Sequence, residues 1–181
     1  MALRANQASI SVSSAPPSPA ELVDSYSSAL YLFCCRLTYS KEDAEDLFQE
    51  TFLAVFEQPS KVNSTGNPKS FIFSTALYLW KSKKRKYARR NRLAEMQPLD
   101  DHLVSDTNIE DGIMAQEEIH QVRRLVNSLP DKYKIPTMLY YTADMSQQEI
   151  AQTLKIPAGT VKSRLHTARK IIEKGLNGNG K

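Results

Sequence analysis

Between Ser146 and Leu176 the sequence leaves room for little besides two helices with a sharp break between them. Ser146-Gln147-Gln148-Glu149 has the spacing at which a serine and a glutamate satisfy each other's free backbone donors at a helix start. Ile150, Ala151 and Leu154 then face inward, and Lys155-Ile156-Pro157 ends the helix. A second helix is predicted from about Ala158, with Val161, Leu165, Ala168, Ile172 and Leu176 on one face. Ser163, His166, Thr167, Lys170 and Lys174 point away from that face, Lys162 lies on its flank, and Arg164 and Arg169 fall nearer the core side. Two helices joined by so short a turn, the second rich in outward basic and polar groups, make a helix-turn-helix suited to the major groove of DNA. The same geometry also serves as plain packing, so the motif alone does not establish DNA contact.

The rest of the chain reads as helical too. Glycine is scarce (6 of 181 residues), 41% of residues are hydrophobic and 24% charged, the balance of a globular chain. Ala29, Leu30, Leu32, Phe33 and Leu37 supply one apolar stripe. Ser40 can cap a second helix beginning near Asp43, with Glu42 and Asp43 at its positive end. On that helix Ala44, Leu47, Phe48, Thr51, Phe52, Val55 and Phe56 share a broad face. Asp46, Gln49, Glu50, Leu53 and Glu57 form a narrow opposite stripe, acidic with one exposed leucine. Gln58 to Ser70, with two prolines, a glycine, two asparagines and three serines, is predicted as a loop. Phe71 to Lys86 resumes as a helix, with Phe71, Ile72, Phe73, Ala76, Leu77 and Leu79 as its apolar part. In the carboxy-terminal part, Ile119, Val122, Val126 and Leu129 keep helical spacing up to Pro130. Asp131 to Tyr141 forms another helix whose start Pro136 is expected to distort or shorten.

Charge divides the chain. The net charge is only +4, yet Lys81, Lys83, Lys84, Arg85, Lys86, Arg89, Arg90 and Arg92 form a block without an acid. Asp100, Asp101, Asp106, Glu110 and Asp111 follow in a stretch without lysine or arginine. The basic block suits a polyanion such as nucleic acid, and the aperiodic acidic stretch reads as a linker. The expected organisation is a disordered tail at 1–19, a helical domain at 20–95, a flexible acidic linker at 96–112 and a helix-turn-helix domain at 113–178. The fold class is therefore all-α, two small helical domains. Residues 1–19 carry no apolar run, and no later segment is long enough to span a bilayer. Cys34 and Cys35 are adjacent, which disfavours a disulfide and offers no zinc cluster. They read as two buried thiols in a reducing, cytoplasmic compartment.

The run from Leu129 to Leu176 resembles the promoter-reading carboxy-terminal domain of extracytoplasmic-function (ECF) sigma factors, of the sigma-70 family. The resemblance is carried by Leu129-Pro130, Leu139, Ser146 to Ala151, Gly159 to Leu165 and Ala168-Arg169. Upstream, Asp43 to Leu53 resembles that family's polymerase-docking helix, and the two motifs stand in the family's order. The resemblance implies a subunit without chemistry of its own that binds core RNA polymerase through its clamp coiled coil and flap. It implies promoter DNA as the second partner and an anti-sigma factor as a third, with no cofactor, membrane insertion or small-molecule substrate. It places polymerase contact on Asp46, Gln49, Glu50 and Leu53. It places minus-10 strand contact on Asn63, Ser64 and Asn67, with Tyr78 and Trp80 able to stack on bases, and on Ser82, Lys83, Lys84 and Arg85. Trp80 reads equally as a core anchor. Minus-35 contact falls on Thr160, Lys162, Ser163, His166, Thr167 and Lys170.

The chain departs from the family pattern in places. Tyr78 and Ser82 stand where many relatives carry asparagine, Phe71 replaces a common tryptophan, Thr167 a common arginine, and Lys134 another arginine. These changes bear on base preference rather than on fold. The linker's acidity suits either threading through a basic polymerase interior or a simple tether. A stand-alone helix-turn-helix regulator is the alternative, and it leaves the docking stripe without a role. An enzyme acting on nucleic acid would need a carboxylate cluster, a phosphate loop or a histidine-centred base, and the sequence offers none.

Overall fold

A computed structural model describes residues 17–38, 40–64, 66–93 and 113–178, and these are helical with no strand among them. In chain order the helices are α1 (Pro19–Leu37), α2 (Lys41–Phe56), α3 (Pro59–Ser64), α4 (Pro68–Leu93), α5 (Ile113–Ser128), α6 (Asp131–Tyr141), α7 (Gln147–Leu154) and α8 (Ala158–Gly178). The expected linker at 96–112 and most of the expected tail, residues 1–16, lie outside the described residues.

Local signals fix most of the helix starts. At α1 the Ser18 amide donates to Glu21 Oε2 (2.7 Å) and the Glu21 amide to Ser18 Oγ (3.3 Å), with Pro19 at the first helical position. The helix thus begins just inside the stretch expected to be tail. Ser40 caps α2 by accepting from the Asp43 amide (3.0 Å), as its sequence predicts.

The segment 58–70, expected to be a loop, instead holds α3 and the first turn of α4. Its two prolines, taken as loop punctuation, occupy the first positions of those helices, where a missing N–H costs nothing and the fixed φ favours helix. Asn67 completes the second start by accepting from the Ser70 amide (3.0 Å).

The amino-terminal core is a three-helix packing of α1, α2 and α4. Leu30, Phe33, Cys34 and Leu37 meet Ala44, Leu47, Val55, Ile72, Phe73 and Ala76, and Phe33 meets Phe73 edge to face at 5.2 Å. Two expected core residues are displaced. Leu32 is 43% exposed because it lies about 200° around α1 from Leu30. Phe56 is 36% exposed at the end of α2, where the core runs out, and stacks on Phe52 instead. Only Cys34 of the two cysteines is buried; Cys35 is half-buried.

The carboxy-terminal core joins α6, α7 and α8 through Ile135, Met138, Leu139, Met145, Ile150, Val161 and Leu165. The helix α6 runs unshortened through Pro136, contrary to expectation. Burial of Ile135, Pro136, Thr137, Met138 and Leu139 together outweighs the one backbone bond the proline forgoes. Lys155 takes the left-handed conformation (φ 54°) and its amide closes α7 onto the Ala151 and Gln152 carbonyls. Gly175 of α8 sits where a side-chain methyl would overlap Leu125, so α5 and α8 approach closely there. Val122, expected in that core, is 37% exposed, and Arg169, expected nearer the core, is exposed.

The two halves also pack on each other, α4 against α7 and α1 against α6. Nothing in the helical periodicity foretells this junction.

Candidate nucleic-acid and partner interfaces

Three outward faces carry the residues singled out from the sequence. On α2, Asp46, Gln49, Glu50 and Leu53 are all exposed, with Leu53 61% accessible. Leu53 is thus a large apolar side chain held in water within an otherwise polar and acidic stripe. Glu50 pairs with Lys83 of α4 at 2.9 Å, so this stripe touches the basic face of the neighbouring helix.

The second face begins at α3 and follows α4. Asn63 and Ser64 lie in α3, and their side chains are outside the described residues. Asn67, at the start of α4, has both ends of its amide engaged: the oxygen caps α4, and Nδ2 donates to Glu149 Oε1 of α7 (3.4 Å). Tyr78 is 66% exposed. Helical spacing puts Ser82 and Arg85 on the same side of α4 as Tyr78, whereas Trp80 and Lys84 share another side. Trp80 packs at the edge of the core and carries Lys84 Nζ 5.1 Å above its ring. Lys83, Lys84 and Arg85 are exposed. The α4 residues of this set therefore fall on more than one side of the helix.

The third face is the outer side of α8. Lys162, Ser163, His166 and Lys170 are exposed, while Thr160 and Thr167 are half-buried. The hydroxyl of Ser163 donates to the Thr160 carbonyl (2.9 Å) and that of Thr167 to the Ser163 carbonyl (3.0 Å). Their oxygens can accept from a base edge as they stand, but donation requires the hydroxyl to turn. The preceding helix is held as its capping box requires: the Ser146 amide donates to Glu149 Oε2 (2.8 Å) and the Glu149 amide to Ser146 Oγ (3.2 Å).

Glu149 has a second set of partners. Burial pushes its pKa up. The Ser146 backbone and hydroxyl bonds, the nearby Lys69 charge and the Asn67 amide outweigh burial and hold the carboxyl below its ordinary value. Lys134, half-buried beside Lys84, has its pKa lowered by burial and by that like charge, with Asp131 opposing. Around this junction Lys69 Nζ donates to the Asp144 carbonyl (2.8 Å), Lys84 pairs with Asp131 (3.1 Å), and Arg36 donates to the Thr142 hydroxyl. Sequence reasoning gave no contact to Arg36, Lys69, Asp131, Thr142 or Asp144. The one available signal was that acids are rare between Leu129 and Gly178: Asp131, Asp144, Glu149 and Glu173 only.

Comparison with known proteins places the chain in a family. Residues 22–90 match the family model for sigma-70 region 2, and residues 119–172 that for sigma-70 region 4. Over 164 residues the chain is 29% identical to the ECF RNA polymerase sigma factor SigW of Bacillus subtilis (strain 168), covering 87% of this chain and 88% of that one. Its fold is similar to that of the sigma factor RpoE from Bartonella quintana, solved with the anti-sigma factor NepR. The TM-score is 0.68 at 20% identity, covering 86% of this chain and 94% of that one. It is also similar to CnrH, solved with the cytosolic domain of CnrY. There the TM-score is 0.65 at 18% identity, covering 90% and 89% of the two chains.

Proposed function

This chain belongs to the sigma-70 family of RNA polymerase sigma factors, in its ECF group, and we propose that it works as two promoter-reading modules which polymerase alone brings to bear together. Promoter recognition and transcription initiation are its function. In this reading residues 20–95 dock on core polymerase and take the minus-10 strand, 96–112 tether, and 113–178 read the minus-35 duplex. The supporting observation is the pairing, in one chain, of an exposed anchor on α2 with a polar outer face on a helix-turn-helix.

Each residue set has a physical role to fill. Leu53 enters an apolar pocket on the polymerase, and Asp46, Gln49 and Glu50 complement basic groups around it. Asn67 and the α3 residues Asn63 and Ser64 hydrogen-bond an extruded base, and Tyr78 offers an exposed ring for stacking. Ser82, Lys83, Lys84 and Arg85 meet phosphates or bases of the strand along α4. Lys162, Ser163 and His166 reach base edges in the major groove, with Thr160, Thr167 and Lys170 alongside. The chain itself makes and breaks no bond; polymerase supplies the phosphodiester chemistry. Its work is cytoplasmic, and an anti-sigma factor of the kind bound to the Bartonella relative is the expected regulator. A stand-alone regulator would give the α2 stripe nothing to do.

Run-off transcription with reconstituted core polymerase tests this. Core enzyme plus the chain should initiate from a cognate promoter, while the free chain binds duplex poorly, since linkage through polymerase raises each module's effective concentration. Leu53→Ala should weaken core binding about tenfold, as loss of a central anchor does, without altering thermal stability. No initiation from any member of a promoter library would overturn the proposal.

A further inference from the structure

We infer that the turn between α7 and α8 makes a further contact with promoter DNA, Lys155 gripping a phosphate of the minus-35 duplex and Gly159 clearing the path of its backbone. The inference deepens the reading of α8's outer face as the minus-35 reader and rests on it.

Two residues of the turn are the reverse of what the fold alone would favour. Lys155 holds a left-handed backbone (φ 54°, ψ 47°) to close α7, a conformation that glycine adopts freely and a residue with a Cβ does not. Its side chain is exposed, and none of the salt bridges among the described residues involves it. Gly159 has the opposite fault. It lies within α8 with no left-handed φ to require a glycine, and a Cβ there would meet nothing within 4 Å. Glycine weakens a helix wherever alanine would fit. Neither choice is offset inside the chain, which is the mark of a residue selected by something outside it.

Helical phase says what lies outside. At 100° per residue, Ser163 is about 40° around α8 from Gly159, His166 about 20° to the other side and Lys170 about 20°. Gly159 therefore heads the exposed stripe that runs through Ser163, His166 and Lys170, with Lys162 on its flank. At the head of that stripe the helix backbone is bare, so a strand can pass in contact with it. Lys155 precedes it by four residues, at most about 14 Å along an extended chain, and so stands at the same end of the stripe. A compact cation there suits a phosphate, a contact that positions the duplex without reading its sequence.

Two measurements test the contact together: thermal unfolding of the free full-length chain, and promoter binding by the chain with core polymerase across a potassium chloride titration. The probes are a promoter duplex selected from a random library by the wild-type holoenzyme and the same duplex with its minus-35 element scrambled. Lys155→Gly should raise the unfolding midpoint by about 3 °C, because the left-handed backbone is relieved. It should also weaken promoter binding about eightfold at about 0.1 M salt and make the slope of log affinity against log salt shallower by about 0.9, the share of one phosphate. Both duplexes should lose the same factor, and Lys155→Arg should keep wild-type affinity and slope. Gly159→Ala should unfold no earlier than the wild type yet bind about tenfold more weakly with its slope unchanged, since a methyl obstructs the strand and no charge is lost. A lowered unfolding midpoint or an unchanged slope in Lys155→Gly overturns the contact, as does a loss confined to one duplex, a weakened arginine variant or full affinity in Gly159→Ala. Wild-type binding indifferent to the minus-35 scramble would instead overturn the reading of α8 itself.

Discussion

Cys34 shows how far a single side chain can depart from its neighbour. It is fully buried between α1 and its partner helices, and burial, with the adjacent Cys35 contributing, pushes its thiol up to about 12 against a partial opposing effect from Lys83. A thiol that stays protonated and inaccessible is not a nucleophile. In the folded chain at pH 8, iodoacetamide should therefore leave Cys34 unmodified, and unfolding in guanidinium should expose it, as peptide mass mapping would record. Modification of Cys34 at the same rate in both states would contradict its placement in the core. Of the two cysteines expected to be buried only Cys34 is, because Cys35 lies about 100° farther around α1, at the edge of the buried face. At this scale the sequence spoke clearly wherever one helix decides exposure, as at Asp46, Gln49, Glu50 and Leu53. It was silent on Asn67, whose amide partner lies 82 residues away.

Among the elements, α7 depends most on its first turn. It has eight residues, too few to persist on propensity, and its start is held by the reciprocal bonds of Ser146 and Glu149. Ser146→Ala should cost about 1 kcal/mol in urea unfolding at pH 7. The Glu149 carboxyl is held below its ordinary value of 4.5 in the folded chain, so its contribution is present above that value and is lost as pH falls through the folded pKa. The wild-type advantage over Ser146→Ala should accordingly narrow on acidification below about pH 4.5, and a constant gap would contradict the bond. Capping boxes, the Ser40 cap and the α8 core stripe were legible because each is written within a few residues. The region 58–70 misled because Pro59 and Pro68 carry one signal for a turn and the same signal for a helix start. Similarly, Pro136 reads as a breaker until the burial of its neighbours is known.

For the whole molecule, the arrangement of the two halves is where sequence reasoning stopped. Periodicity assigns each helix a buried face but does not say that α7 will lie on α4, since the polar contacts there join residues far apart in the sequence and the apolar residues of both halves merge into one core. Net charge of +4 likewise conceals a basic helix facing a few acids. α4 runs without interruption for 26 residues, roughly 39 Å, from Asn67's edge to the arginines near its end. It behaves as a rigid ruler, so the separation and angular phase between the proposed base-capturing edge and the proposed phosphate grip are set by helical pitch. One alanine inserted after Lys81 would swing every later cation by about 100°, and promoter opening should fail in a permanganate footprint. Seven would nearly restore the phase while moving the grip about 10 Å farther along the duplex, so that any activity recovered would follow the turn of the helix and not its length.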